Sequence, residues 1–194
     1  MLNYDELYKK VKEHFIIYNK EKRFLHSLRV VEMALTLNDV HHLNINPELI
    51  KVAGLVHDYA KVYKEEDLKK LVLENFNDDL VNFPDVYHAL VGDIIVKEKL
   101  DISDCDVLDA IKYHTTGKDN MNDLTKIIYL ADYIEVGRNF FEATRVRMIA
   151  MKNLDQAIYE MTKNTIDYLK SRGFAVYHKT YETYNYYKKE SLHA

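Results

Sequence analysis

The run from Ala53 to Lys61, AGLVHDYAK, constrains the chain more than any other stretch, because an apolar helical pattern ends in adjacent His57 and Asp58 with Lys61 one turn further on. A buried helix is thereby expected to deliver charge to an interior site. Burying Asp58 without a cation or several donors costs several kcal/mol, so a metal beside His57 is the economical explanation. A simple imidazole–carboxylate pair explains these two residues equally well when they are taken alone. The rest of the sequence decides between them.

Polar residues interrupt apolar helical patterns at His26, His57 and Asp58, His88, His114 and Asp132, on five separate predicted helices. Neutral imidazoles suit borderline first-row metals, and a carboxylate such as Asp58 can give one oxygen to each ion of a pair. Four histidines and two aspartates suffice for two ions.

The helices themselves follow from the periodicity. Only five glycines and two prolines occur in 194 residues, and apolar residues recur at spacings of three and four, which predicts an all-α fold. Helices are expected over Tyr4 to Tyr18, over Phe24 to His42 with Leu25, Leu28, Val31 and Leu35 on the inner face, and from Asn46-Pro47 into His57. Further helices are expected over Lys64 to Phe76, Val86 to Leu100, Ser103 (as cap) to His114, Asn122 or Asp123 to Glu135, and Phe141 to Lys170. Asn77 to Asp85 reads as a loop, and Gly117 and Gly173 as helix stops. His14, His41, His42 and His193 have no motif around them and read as surface or packing residues. The chain is expected to form a single domain over 1–194, with a core at about 24–173 and a tyrosine-rich cover at 174–194.

A formal charge of −4, from 27 basic and 31 acidic residues, gives no global attraction to nucleic acid, so an anionic ligand must be met by a local cluster. The lone Cys105 excludes an internal disulfide framework. The start lacks a signal-peptide h-region, and no apolar run approaches the roughly 20 residues that span a bilayer. A soluble, cytoplasmic protein without a membrane partner is the expectation.

The segments HSLRV (26–30), AGLVHDYAK (53–61), HALVG (88–92), YHTTG (113–117) and ADYIEVGR (131–138) together resemble the HD-domain phosphohydrolases, whose pattern runs His, His-Asp, Asp with two further histidines in dinuclear members. Within them the wording is similar to the YqeK-like branch, over roughly Phe24 to Gly173. The resemblance implies an HD-domain helical bundle with a buried dinuclear metal site. It implies symmetrical hydrolysis of diadenosine tetraphosphate to two ADP, with iron as the metal and manganese, cobalt or zinc as alternatives.

Carried over residue by residue, it makes His26, His57, Asp58, His88, His114 and Asp132 the metal ligands, with His88 and Asp132 also close to substrate. Asp58 and Lys61 are the catalytic candidates, Lys61 by its helical spacing from His57 and Asp58. Arg23, Arg29 and Arg138 are placed to meet a polyphosphate, and Thr115 and Thr116 to offer hydroxyls. Tyr133 is a candidate to pack on a base or ribose. Arg172, Gly173, Tyr177 and His178 partly reproduce a C-terminal base-pocket pattern of the family, without its proline. The competing functions are a nucleoside or deoxynucleoside phosphate phosphohydrolase using the same metals, and a non-catalytic purine-nucleotide-binding regulatory module. The tyrosine-rich tail also offers a homodimer contact.

Overall fold

The computed structural model describes residues 3–76, 80 and 82–191. Among them the chain forms eleven α-helices joined by loops and short 3-10 turns, with no β-strand. The helices are α1 (Tyr4–Ile17), α2 (Glu21–Val40), α3 (Pro47–Val56), α4 (Glu65–Asn75), α5 (Tyr87–Leu90), α6 (Gly92–Leu100), α7 (Cys105–Tyr113), α8 (Asp123–Ile134), α9 (Phe141–Ala150), α10 (Leu154–Ser171) and α11 (His178–Glu190). None of them is long and apolar enough to cross a membrane.

Helix α2 is the centre of the arrangement, packing most extensively against α3 on one side and α8 on the other. Close α2–α3 approach depends on Gly54, where a Cβ would lie 2.8 Å from Val31 Cγ2 and 3.1 Å from Val31 Cα. Helix α1 closes one flank by burying Leu7, Val11 and Phe15, at the four-residue spacing of one helical face. Each such side chain contributes about 1.5–3 kcal/mol on leaving water. The core runs without interruption from these residues through Ile50, Leu55, Ile111, Ile127 and Leu130 to Ile158 and Tyr187.

Caps fall largely where side-chain chemistry places them. Asn3 forms a capping box with Glu6, Asn46 accepts from the Glu48 amide ahead of Pro47, and Asn122 accepts from the Thr125 amide. Helix α7 is capped by Asp104, whose carboxylate accepts from the amides of Asp106 and Val107, in place of the expected Ser103. The aspartate has the stronger acceptor and sits directly before the first helical residue.

Two expected helices are each broken in two. Val91, at φ −111° and ψ 3°, interrupts the segment from 86 to 100, so His88 rides on the short α5. The segment from 141 to 170 stops at Ala150 and restarts at Leu154, where Asn153 accepts from the Gln156 amide and caps a new helix. Within the expected loop of 77–85, residues 77–79 and 81 lie outside the described residues, as does His193; Pro84–Val86 is a 3-10 turn. Helix α11 lies over α10, with Tyr187 fully buried and its hydroxyl accepting from the Met121 amide at 3.0 Å.

Candidate metal centre

Helices α3 and α7 end in the same way. His57 is the residue after α3 and its Nδ1–H donates to the Gly54 carbonyl at 2.8 Å, while His114, the residue after α7, donates from Nδ1 to the Ile111 carbonyl at 2.6 Å. Each imidazole thus satisfies a carbonyl left open at a helix end. A carbonyl only accepts, so the proton is fixed on Nδ1 and Nε2 is left with a lone pair. His26, on α2, has its Nδ1 3.2 Å from Oε1 of buried Glu135, again an acceptor. Three Nε2 atoms, held by three different elements, are therefore turned inward.

They converge on Asp58. Its Oδ2 lies 3.5 Å from His57 Nε2 and 3.9 Å from His26 Nε2; its Oδ1 lies 3.4 Å from His114 Nε2 and 3.5 Å from His88 Nε2. Asp132, on α8, adds Oδ1 at 2.8 Å from His26 Nε2 and 3.9 Å from His57 Nε2. The ligand-type atoms of His26, His57 and Asp58, of Asp58, His88 and His114, and of His57, His114 and Asp132 form three groups, each compact enough to hold a metal ion.

The donor set fits a divalent cation. His57 Nε2 is fully buried and has no hydrogen-bond partner, the kind of orphaned donor atom that a metal ion satisfies. Burial would raise the carboxyls of Asp58 and Asp132, yet the imidazoles facing them hold both below the ordinary carboxylate range. Burial likewise pushes His57 down, and the Asp58 carboxylate more than offsets it. A cavity that draws a proton onto a buried imidazole draws a metal cation by the same field. His88 is held well below its usual value by burial, then by Lys61 and His114, and so stays neutral.

Lys61 does not reach this centre along a helix. Asp58 leaves the α-helical region, at φ −100° and ψ 13°, and Tyr59–Val62 is a 3-10 turn. Its tighter winding still carries the ammonium to 3.0 Å from His88 Nε2, although the residue as a whole is exposed. The Thr115 hydroxyl approaches the same nitrogen at 3.2 Å.

Beside the centre lies an open cleft of about 600 Å³, lined by residues that include Lys20, Lys22, Arg23, His26, Arg29 and Arg138. Arg23 donates to Asp58 Oδ2 at 2.6 Å, Arg29 to Glu135 Oε2 at 2.6 Å, and Arg138 to Asp132 Oδ1 at 3.3 Å. Each of these guanidiniums is anchored on a carboxylate and remains partly exposed in the cleft wall.

Other sequence candidates are placed elsewhere. Thr116 is buried and its hydroxyl donates to the Gly117 carbonyl, so it is committed to closing the loop after α7. Tyr133 packs edge-on against Phe140 at 5.4 Å. Arg172 and Gly173 terminate α10: the Gly173 amide donates to the Lys170 carbonyl and the Phe174 amide to the Leu169 carbonyl, a Schellman cap with Gly173 at φ 73°. Both are exposed and the cleft wall excludes them. Tyr177 is buried against Phe83 at 5.3 Å, and His178 is exposed at the start of α11. None of these four residues is among those that line the cleft. Conversely, sequence reasoning passed over Glu135, three residues after Asp132 in the same motif, and Arg147, which nothing in the sequence marks.

The pattern of the HD domain matches residues 23–137, which carry His26, His57, Asp58, His88, His114 and Asp132. The chain belongs to the HD-domain family, a class of metal-dependent phosphohydrolases. Its relatives include the symmetrical bis(5'-nucleosyl)-tetraphosphatase of Bacillus subtilis (strain 168), 35% identical over 154 residues, or 78% of this chain and 82% of that protein. The protein of the same name from Staphylococcus aureus (strain NCTC 8325 / PS 47) is 36% identical over 153 residues, 77% of this chain and 78% of that one. A crystal structure from Clostridium acetobutylicum, described as a predicted HD superfamily hydrolase involved in NAD metabolism, superposes with a TM-score of 0.88 at 36% identity, covering 94% of this chain and 97% of that chain. Within the HD-domain class, the symmetrical bis(5'-nucleosyl)-tetraphosphatases are therefore the family to which the chain belongs.

Proposed function

We propose that this chain hydrolyses diadenosine tetraphosphate symmetrically, adding water across the central P–O–P bridge so that each half leaves as ADP. The observation that carries the reading is the division of Asp58, with one oxygen facing His26 and His57 and the other facing His88 and His114. A single carboxylate between two nitrogen sets is the arrangement a pair of ions requires. His26, His57, Asp58, His88, His114 and Asp132 would hold two divalent ions, with iron as the expected metal. When bound, such ions supply Lewis-acid polarisation of phosphoryl oxygen and acidify water at neutral pH.

The chain's own residues do the remaining work. Arg23, Arg29 and Arg138 present cations along the cleft where the flanking phosphates lie, and their carboxylate anchors hold the guanidiniums in place before substrate arrives. Lys61, on the His88 side, offers its ammonium to charge that grows on the non-bridging oxygens as the bridge breaks. Thr115 offers a hydroxyl on the same side.

Anaerobic incubation of the full chain with ferrous or manganous ion and diadenosine tetraphosphate, followed by chromatography, tests this directly. Two ADP per substrate is the expected result. ATP with AMP overturns the symmetry of the cleavage; release of inorganic phosphate overturns the substrate class; ADP retained without turnover overturns the enzymatic reading.

A further inference from the structure

Glu135 ends α8, one turn beyond Asp132, and is 1% exposed. A carboxylate so buried costs several kcal/mol unless it is well partnered. Its partners divide into two sets with different tasks. Oε2 accepts from Arg29 Nε at 2.6 Å and from the Gly137 amide at 2.5 Å; Oε1 accepts from His26 Nδ1 at 3.2 Å and from Arg29 Nη2 at 3.3 Å. An ion pair serving only to bury Arg29 has no need of His26.

The contact with His26 has a chemical consequence. Both ring nitrogens face carboxylate oxygens, Nδ1 with Glu135 Oε1 at 3.2 Å and Nε2 with Asp132 Oδ1 at 2.8 Å; a carboxylate cannot donate, so Glu135 keeps a proton on Nδ1 when Nε2 gives its lone pair to a metal. The same carboxylate grips two nitrogens of the Arg29 guanidinium and fixes its plane in the cleft wall. The turn that carries Glu135 is braced from outside by Arg147 of α9. Its Nε donates to the Ile134 carbonyl at 2.6 Å, and its Nη2 donates to the carbonyls of Glu135 and Arg138, both at 2.8 Å.

We propose that Glu135 is a positioning residue that couples the metal-facing imidazole of His26 to the phosphate-facing guanidinium of Arg29, with Arg147 as its outer brace. This rests on the reading of His26 as a metal ligand. Loss of Glu135 then weakens the metal site and the polyphosphate clamp together, although Glu135 itself contacts neither ligand. Glu135→Gln is the sharpest change, because its amide NH2 must oppose a donor, either His26 Nδ1–H or Arg29.

The test is a manganese titration of metal-stripped full chain by calorimetry, made on wild type, Glu135→Gln, Glu135→Asp and Arg147→Met. Circular dichroism monitors the fold, and KM and kcat for diadenosine tetraphosphate are measured alongside. Folded E135Q should bind manganese about 10–100-fold more weakly, the range typical of groups that orient metal ligands, with a raised KM. E135D, which restores an acceptor, should recover part of the affinity. Folded E135Q with wild-type affinity and KM overturns the proposal. If E135Q does not fold, wild-type affinity in both E135D and R147M overturns it instead. Failure of the wild type to bind manganese at all would sink the metal reading beneath it, an outcome distinct from a wild type that binds and an E135Q that binds equally well.

Discussion

Lys61 brings a cation to the cluster from the His88 side, with its ammonium on an imidazole and its residue otherwise exposed. Burial of that ammonium lowers its pKa, and Asp58 works against the shift. Because Lys61 contributes no lone pair to the cluster, Lys61→Met should leave manganese binding unchanged and lower kcat roughly 10²-fold, the usual scale for removing one donor aimed at developing charge. An unchanged kcat in that variant eliminates the assigned role. The residues of the cluster were legible for a physical reason: a histidine or aspartate inside an apolar helical run is costly, so each one announces a partner. Glu135 escaped because it stands just past the end of the apolar run, where polar residues ordinarily terminate helices. Arg172 and Thr116 drew attention by standing near motifs, and both are held by backbone hydrogen bonding that a motif does not reveal.

At the scale of the element, the inward face of α2 is set by His26. The apolar pattern admits Leu25 as an inner residue, but neighbours on a helix point about 100° apart, and with His26 turned to the centre Leu25 is 52% exposed while Phe24, Val30, Val31, Ala34 and Leu37 are buried. The break at Val91 falls directly before Gly92, a residue that a continuous helix also tolerates, and the break at 151–153 carries neither Gly nor Pro, so neither was legible while each half keeps its own amphipathic face. Gly54 joins element to site, because it sets the α2–α3 spacing and supplies the carbonyl that orients His57. Gly54→Ala should destabilise the protein by about 1–3 kcal/mol, as overpacking does, and weaken manganese binding at the same time. Urea melts with and without metal check both; a stable variant with full metal affinity contradicts the role of the close approach. In α11, Tyr187→Phe strips the buried Met121 amide of its acceptor and should cost about 1–3 kcal/mol in the same melts, without changing KM. A raised KM would show that α11 acts on the site and is more than a cover.

For the whole molecule, the continuity of the core leads to the proposal that residues 1–194 fold as one unit. Helix α11 is tied back to the loop after His114 by Tyr187, and by the Thr183 hydroxyl, which donates to the Thr116 carbonyl at 3.0 Å, so the C-terminal helix and the cluster share supports. The cluster draws its residues from α2, α5 and α8 and from the ends of α3 and α7. Unfolding any one of these helices disperses the donor set, and binding to the folded state alone raises stability by mass action. With manganese at 100 times its dissociation constant for one site, stability should rise by about 2.7 kcal/mol, and a chelator should remove the gain. The denaturation curve should then remain a single transition whose midpoint moves with metal, whether followed by helix content or by tyrosine fluorescence. The two probes see different parts of the molecule, because α11 and the tail before it hold a large share of the tyrosines while helix content reports on every element. A tyrosine signal that melts early and ignores the metal would detach α11 from the folding unit; coincident curves that shift together would make the metal centre and the C-terminal cover parts of one cooperative structure.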